Sequence, residues 1–243
     1  MKLAFLYRRW ACALVILACA VASSSLSIGQ ETLQVKPALP DVPGIKDPVS
    51  YALGFKVGSD MRSASLEASD FDIEQFTNGF LDGLAKQEKL TPDQVRACFM
   101  SLEEKIQKKM IDIGRKNLEK ANEFLKVNKE KEGIQTTKSG LQYQVIKTGA
   151  GKTPAVTSKV KVHYEGKLLD GTVFDSSIER GQPIEFPVNG VISGWTEALQ
   201  RMKVGDKWRL FIPPGLAYGE SGNPPVIGPN EMLTFEVELL DVK

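Results

Sequence analysis

The spacing of hydrophobic side chains divides the chain into two parts. From residue 48 to residue 133, apolar positions recur every three or four residues, which is typical of amphipathic helices. Two stripes predict two short helices, and a third pattern begins after Thr91-Pro92-Asp93-Gln94, a capping box with proline at the first helical position. The third pattern predicts one helix of about 40 residues that ends at Gly133. The first two stripes are Val49, Leu53, Val57 and Met61, and Ile73, Phe76, Phe80 and Leu84.

The long helix would measure roughly 60 Å, which two short helices of the same chain cannot cover. It is therefore either a solvated strut, or a second subunit buries part of its apolar stripe. Gly114, in a lysine-rich stretch near the middle, favours an exposed strut at that point. Beside the first stripe, Gly54 and Gly58 lie four residues apart. Glycine costs about 1 kcal/mol in a helix interior, so this spacing predicts close approach by another helix, with mere tolerance of the glycines as the alternative.

After Gly133 the hydrophobic period changes from 3.6 to two, which predicts a mainly antiparallel sheet. The alternating runs are residues 141–145, 160–164, 208–212 and 233–239, with glycine and proline between them. One short helical stretch, residues 192–202, carries Trp195 and Leu199 four apart. We therefore expect Trp195 to pack against the concave face of the sheet.

The first 22 residues have the pattern of a secretory signal peptide. Basic residues up to Arg9 precede an apolar run, and Ala20-Val21-Ala22 forms an A-x-A cleavage site. The apolar run is short for a membrane span, so export is favoured over a retained anchor. Cys19 and the residues before it loosely resemble a bacterial lipoprotein signal, which leaves a lipid anchor at Cys19 as the alternative.

The predicted organisation has four segments. Residues 1–22 are the signal peptide, 23–47 a Ser- and Pro-rich linker, 48–137 a helical domain with the long helix, and 138–243 the sheet domain. The predicted fold class is α+β, with an all-α region before the antiparallel sheet.

The charge balance argues against a nucleic-acid partner. The chain has 31 Lys and Arg side chains against 30 Asp and Glu, a net charge of +1. Removing Lys2, Arg8 and Arg9 with the signal peptide leaves 28 basic against 30 acidic side chains, a net charge of −2. This near-neutral balance supplies no field that would attract DNA or RNA.

Histidine and cysteine usage limits the possible chemistry. His163 is the only imidazole, so a multi-histidine metal site cannot form. Neighbouring residues of a strand face opposite ways, so His163 points away from any cavity that Tyr164 lines, and a Ser-His-Asp or Cys-His site is disfavoured. After signal cleavage Cys98 is the only thiol, which excludes an internal disulfide. We expect Cys98 to be a small buried hydrophobe on its helix, with a bridge between subunits as the alternative.

Aromatic side chains occur throughout the sheet domain, with few ionisable neighbours. No glycine-rich phosphate loop, Cys-x-x-Cys pair or dinucleotide fingerprint accompanies them. Spacing alone leaves two interpretations open, a hydrophobic core or the lining of an apolar pocket. The rings are Tyr164, Phe174, Phe186, Trp195, Tyr218 and Phe235.

Six strings within residues 140–243, in order and spacing, strongly resemble the FKBP-type peptidyl-prolyl isomerases. They are V-H-Y-E-G (162–166), D-G-T-V-F-D-S-S (170–177), V-I-S-G-W (191–195), M-K-V-G-D (202–206), I-P-P-G-L-A-Y-G (212–219) and F-E-V-E-L-L (235–240). Y-A-L-G-F-K-V-G (51–58) and F-x-x-G-F (76–80), with the long helix, are more loosely similar to the dimerisation region of Mip- and FkpA-like members from bacterial envelopes.

The resemblance implies a half-open antiparallel sheet wrapped around one short helix, with a shallow apolar pocket between them. Trp195 would be its floor, Tyr218 and the backbone N–H of Ile192 would donate hydrogen bonds to the substrate, and Asp175 would lie at the rim near Arg180. Ile184 replaces an aromatic ring of many members, and Asn223 a histidine of some. The implied catalytic residues are Tyr164, Phe174, Asp175, Trp195, Tyr218 and Phe235. The implied substrate-binding residues are Arg180, Ile184, Phe186, Val191, Ile192 and Ile227.

The implied activity is rotation of X-Pro bonds in exported, unfolded or folding proteins, without metal or cofactor. The implied partners are proline-containing clients, macrolide-type inhibitors and a second copy of the chain, bound through residues 48–110. The implied location is the periplasm or cell envelope. The alternatives are a holding chaperone or peptide-binding module with incidental isomerase activity, and a structural dimer with a degenerate pocket.

Overall fold

The computed structural model describes residues 39–243. The predicted signal peptide, the alternative anchor at Cys19 and linker residues 23–38 lie outside the described residues. The described residues before Val49 belong to a unit separate from Val49–Lys243. They include a turn in which the N–H of Ile45 donates to the Val42 carbonyl at 3.0 Å. Within the described part of the chain, no helix is long and apolar enough to cross a membrane.

Three helices precede the sheet, as the spacing predicts. Helix α1 spans Pro48–Ser63, α2 spans Ile73–Leu84, and α3 spans Pro92–Asn128. The predicted capping box of α3 is confirmed, because the Gln94 amide donates to Thr91 Oγ1 at 3.3 Å and the Thr91 amide donates to Gln94 Oε1 at 2.9 Å. Helix α3 has 37 residues, which makes it about 55 Å long. It ends before Gly133, where the chain turns with a φ of 79°.

The first two helices have few partners in this chain. Neither α1 nor α2 contains a buried residue. The turn after α1 is attached to α3 by Lys109, whose Nζ lies 2.9 Å from Glu67 Oε1 and 3.1 Å from Asp70 Oδ2. A Cβ built at any of four helical glycines would meet no neighbouring atom within 4 Å, so the close approach predicted at Gly54 and Gly58 has no partner among the described residues. These glycines are Gly54, Gly58, Gly79 and Gly83.

The second half of α3 lies on the sheet domain, so the prediction of an exposed strut around Gly114 is wrong. Gly114 is buried, and a Cβ there would lie 3.3 Å from Pro229 Cβ. Ala121 packs with Phe211 and Met232 in a small core. Phe211 lies on a strand between Leu210 and Ile212, and the side chains of those two residues face the main core. The opposite face of that strand therefore covers α3, a partner that the helical pattern does not reveal.

The two halves of α3 differ in their surroundings. At its end, the buried Asn128 side chain donates to Gln142 Oε1 at 3.0 Å, and Gln142 Nε2 donates to the Leu125 carbonyl at 2.8 Å. Near its beginning, Cys98 is a free, exposed thiol. The expectation of a buried Cys98 is wrong for this chain, because the described residues provide no cover at that point.

The strands form one antiparallel sheet in the order β1-β2-β6-β7-β3-β4, with β5 also paired to β3. Strands β5 and β4 pair with successive parts of β3, with Val160 opposite Phe186 and Gly166 opposite Asp175. The predicted α+β class and antiparallel sheet are confirmed, although the hydrophobic pattern does not predict β1, β4 and β5. The strands are β1 (Ile134–Thr136), β2 (Gln142–Lys147), β3 (Lys159–Leu168), β4 (Val173–Ser176), β5 (Ile184–Pro187), β6 (Lys207–Ile212) and β7 (Leu233–Val242).

Helix α4, Ser193–Leu199, packs on the sheet as predicted. Its buried residues Trp195, Ala198 and Leu199 join alternate residues of β3, β6 and β7 in the main core. The inward positions of those strands alternate with outward ones, as the period of two requires. This arrangement fixes Trp195 between the helix and the concave side of the sheet.

Candidate active site

A pocket of about 550 Å³ lies between α4, the sheet and the loop after β6. Its lining is mainly aromatic and aliphatic, and it is assembled from residues far apart in sequence. The predicted site residues that line it are Tyr164, Phe174, Asp175, Ile184, Phe186, Val191, Ile192, Trp195, Tyr218 and Phe235.

Trp195 is the centre of the pocket's aromatic cluster. Its ring centroid lies 5.3 Å from that of Tyr164 and 5.2 Å from that of Phe235, both nearly perpendicular. Phe186 meets the same indole at 5.5 Å, and Phe174 meets Phe235 at 5.5 Å. Edge-to-face pairs at these distances add about 0.5–1.5 kcal/mol each beyond area burial. The rings therefore hold one another in a fixed apolar surface.

Two glycines allow close packing around the pocket, one beside the rings and one between α4 and the sheet. A Cβ at Gly166 on β3 would lie 2.7 Å from both Phe174 Cζ and Phe235 Cε1. A Cβ at Gly194 on α4 would lie 2.6 Å from Ile212 Cγ2 on β6. Any larger residue would push the rings or the helix away. The glycines of the 162–166 and 191–195 strings are thus required by packing.

Asp175 forms the polar rim of the pocket together with Tyr164 and Arg180. The Tyr164 hydroxyl and the Arg180 guanidinium both donate to the Asp175 carboxylate, and Arg180 also donates to the Tyr164 oxygen at 3.0 Å. Burial alone would raise the pKa of Asp175, but the hydrogen bonds from Tyr164 and Arg180 and the Arg180 charge hold that pKa below its usual value. Burial, followed by the bond to Asp175, raises the pKa of Tyr164. Near neutral pH, Asp175 is therefore an anion and Tyr164 a neutral phenol.

Tyr218 and Ile192 border the pocket from two irregular segments. Tyr218 follows β6 at the start of a 3-10 turn, Gly219–Ser221, and remains 39% exposed. Ile192 immediately precedes α4, and its carbonyl accepts from the amides of Trp195 at 3.0 Å and Thr196 at 3.1 Å. These bonds fix the backbone turn that brings Ile192 to the pocket.

Two predicted site residues lie outside the lining. Arg180 contacts the pocket only through Asp175 and Tyr164. Ile227 is 4% exposed and belongs to the main core, so its side chain supports the loop from beneath. Gly190 also lines the pocket and was not anticipated. The Asn189-Gly190 pair directly before the 191–195 string is a turn signal that could have indicated it.

His163 lies on the other face of β3, as predicted, with its Nδ1 3.0 Å from Ser177 Oγ. The same hydroxyl accepts from the Tyr164 amide at 2.8 Å. The imidazole is thus a hydrogen-bonded structural group and not one of the pocket residues. Across residues 39–243, no group of three or more His, Cys, Asp or Glu side chains is arranged to hold a metal ion. The pocket has a mainly apolar lining in which Tyr164, Asp175 and Tyr218 carry polar side-chain groups.

Comparison with known proteins identifies the family of the chain that carries this pocket. The family model "FKBP-type peptidyl-prolyl cis-trans isomerase" matches residues 151–240, and the model of the domain amino terminal to such isomerases matches residues 46–145. The chain is 44% identical over 203 residues to the peptidyl-prolyl cis-trans isomerase Mip of Coxiella burnetii, covering 82% of this chain and 87% of that relative. The chain belongs to the FKBP-type peptidyl-prolyl cis-trans isomerases.

Other relatives agree over the same length. The FKBP-type 22 kDa peptidyl-prolyl cis-trans isomerase of Escherichia coli is 44% identical over 199 residues, with 82% of this chain and 96% of the relative covered. The outer membrane protein MIP of Legionella longbeachae is 38% identical over 203 residues, covering 82% and 86%. The crystal structure of FkpA from Escherichia coli matches with a TM-score of 0.61 and 37% identity, covering 80% of this chain and 95% of that one. The predicted family, fold and isomerase activity are thereby confirmed.

Proposed function

We propose that this isomerase accelerates rotation about X-Pro bonds in exported, unfolded or folding proteins, and that its ring-lined pocket is the catalytic element. A planar X-Pro amide is stabilised by resonance, which separates charge and opposes rotation with a barrier of about 18–20 kcal/mol. A twisted amide loses that resonance and becomes less polar. An apolar pocket therefore binds the twisted amide better than the planar one, which lowers the barrier.

The observation that carries this proposal is the aromatic cluster around Trp195, to which Tyr164, Phe186 and Phe235 contribute within 5.5 Å of its centroid. Proline would lie on the indole, with the other rings and Val191 around it. Uncatalysed exchange takes tens of seconds or more. A turnover of about 10 to 1,000 per second requires a barrier lower by roughly 4 to 7 kcal/mol.

The polar groups would orient the substrate without transferring protons. The Tyr218 hydroxyl and the Ile192 N–H would donate to the carbonyls that flank the proline. Asp175, ionised because Tyr164 and Arg180 donate to it, would fix the rim and polarise the entrance. Ile184, at a position where many family members carry a ring, would alter which side chain is preferred beside the proline.

The proposed assembly is a homodimer through residues 48–110. Helices α1 and α2 leave large apolar side chains exposed, and they border a groove of about 690 Å³ with the turn after α1. The lining of this groove includes Leu53, Val57, Phe76 and Phe80. A monomer in water would expose this surface, whereas a second copy would bury it. Two pockets on one dimer could then hold one client chain by avidity.

The proposed location is the periplasm or cell envelope. Its support is the signal-like pattern of residues 1–22 and the similarity to an outer membrane protein MIP. Lipid attachment at Cys19 is the alternative. Macrolide-type inhibitors are proposed ligands, because a pocket of about 550 Å³ lies within the usual range of drug-sized sites.

The groove supports a second candidate function, a holding chaperone. Apolar segments of unfolded clients could bind there while the pocket grips proline. Suppression of aggregation that survives loss of isomerase activity would favour this second function.

The test of the proposed function is a proline-limited refolding assay and a prolyl-tetrapeptide assay on the full chain with Tyr218→Phe and Asp175→Leu. We expect each variant to lower kcat/KM by about tenfold, since Tyr218→Phe removes a hydrogen bond to the substrate and Asp175→Leu removes the charge that fixes the rim. Tyr143→Phe is the matched control, because its hydroxyl donates to Gln135 at 2.7 Å outside the pocket. Unchanged rates in folded Tyr218→Phe and Asp175→Leu would contradict the assigned roles.

A further inference from the structure

A short segment before β7, residues 229–231, is bound to the long helix. Asn117 Nδ2 donates to the Pro229 carbonyl and to Glu231 Oε1, both at 3.0 Å. Asn230 Nδ2 donates to the Gly114 carbonyl at 3.3 Å. Two residues of α3 therefore hold three consecutive residues of the segment.

The same segment is also bound to the loop after β6, which carries Tyr218. The Asn230 amide donates to the Gly219 carbonyl at 2.8 Å. Gly219 directly follows Tyr218, which lines the pocket. Asn230 has a φ of 52°, a left-handed conformation that asparagine tolerates better than most residues. Its backbone contacts the loop while its side chain contacts the helix.

Gly114 explains how closely these parts approach. A Cβ at residue 114 would lie 3.3 Å from both Asn230 Nδ2 and Pro229 Cβ. These contacts are tighter than most side-chain contacts, so the glycine lets the segment rest on the helix backbone. The buried cluster of Ala121, Phe211 and Met232 then fixes the same part of the helix to the sheet.

We propose that Asn117 and Asn230 are positioning residues for the isomerase reaction, which hold the backbone beside Tyr218 through the 229–231 segment. The proposal rests on the proposed role of the Tyr218 hydroxyl. Helix α3 is then a part of the catalytic unit, because it fixes one end of the loop that carries Tyr218. A loop held only by its own backbone would sample more positions of that hydroxyl, and few of them would match the twisted amide.

The test uses the full chain with Asn117→Ala and Asn230→Gly. Glycine allows the left-handed backbone of residue 230, keeps its amide donor and removes the side-chain bond to Gly114. It also adds backbone freedom at residue 230, which Asn117→Ala does not, so both variants are measured. Asn122→Ala is the matched control, since Asn122 is an exposed asparagine on the same helix. We expect each of the two variants to lose about three- to tenfold in kcat/KM on a prolyl tetrapeptide, the size of one or two hydrogen bonds, and the control to lose none.

Combination with Tyr218→Phe separates positioning from general loosening of the fold. If the asparagines act through the Tyr218 hydroxyl, their loss costs less than about twofold once that hydroxyl is gone. The melting temperature of each variant is measured together with its rate. If the asparagines were purely structural, their loss would lower the melting temperature, and the loss in kcat/KM would still multiply with that of Tyr218→Phe.

Three outcomes are distinguishable. Losses that disappear in the Tyr218→Phe background support the positioning role. Losses that multiply, or no loss in either asparagine variant, overturn it while the proposed function stands. An unchanged rate in Tyr218→Phe alone overturns both the role of the hydroxyl and the positioning role.

Discussion

Large apolar side chains are buried in the sheet domain but exposed on the first two helices. In the sheet domain, Trp195, Leu199 and the inward residues of β3, β6 and β7 are buried in one core. In α1 and α2 no residue is buried, and Phe55, Phe80 and Leu84 stay at least 48% exposed. A hydrophobic pattern shows which face of an element avoids water, but it does not show which molecule covers that face.

The glycines of the two regions differ in the same way, in how much space surrounds them. Gly166 and Gly194 lie where rings or a strand leave no room for a Cβ, whereas Gly54 and Gly79 have no atom within 4 Å of theirs. The first pair is explained within the chain. The second pair is explained by the proposed second subunit, or is merely tolerated.

The largest expected effect concerns assembly. Phe80→Glu places a charge in the exposed apolar groove, so we expect the sedimenting mass to fall from dimer to monomer. The tetrapeptide rate should not change, because the pocket lies in the sheet domain. Asn78→Glu is the matched control, since residue 78 lies on the opposite face of α2. A wild-type monomer, or a dimer that survives Phe80→Glu, would contradict the proposed interface.

The next effect concerns the two classes of glycine. Gly166→Ala should lower the free energy of unfolding by about 1–3 kcal/mol or more, because its methyl group would overlap Phe174 and Phe235. Gly54→Ala, made in the Phe80→Glu monomer, should instead raise stability by up to about 1 kcal/mol through helix propensity. Urea denaturation of both variants measures the difference. Equal costs at the two positions would mean that packing does not distinguish them.

The smallest effect concerns Glu231. Burial, and then repulsion from Asp170, raise its pKa, although Lys120 and the Asn117 hydrogen bond oppose the shift. A carboxyl whose folded pKa is raised stabilises the fold fully below its unfolded pKa, and this contribution is lost as pH rises through the folded value. Glu231→Gln keeps the acceptor oxygen and removes the charge, so its melting temperature should exceed that of wild type at neutral pH. A difference that does not shrink on acidification would be inconsistent with this origin, and exposed Glu220→Gln serves as the control.

Much of the fold could be predicted from the sequence because its periods are long and regular. The structure contains the elements predicted from three such patterns: the stripe of Val49 to Met61, the capping box at Thr91 and the alternation around Tyr164. Strands β1, β4 and β5 have three or four residues, too few for a period to be recognised. The domain boundary at residues 137 and 138 stays a prediction.

The site could be predicted from its strings, but long-range packing could not. The rings of Tyr164, Phe186 and Phe235 meet around Trp195, as the resemblance implies. Ile227, predicted to bind substrate, is buried in the core. Gly114 lies against Pro229, which is 115 residues further along the chain. Such contacts depend on which face of the sheet α3 covers, and no local pattern specifies that choice. The exposure of Cys98 could not be predicted either, because the helical pattern does not show that the described residues leave the start of α3 uncovered.

In the proposed mechanism an apolar wall, and no proton transfer, accelerates X-Pro rotation. The most direct test compares Phe186→Gln with Phe186→Leu in the tetrapeptide assay, because glutamine and leucine are close in size and residue 186 is only partly buried. We expect leucine to retain most of kcat/KM and glutamine to lose about tenfold more, since a polar wall favours the planar, charge-separated amide. Equal rates in the two folded variants would contradict it.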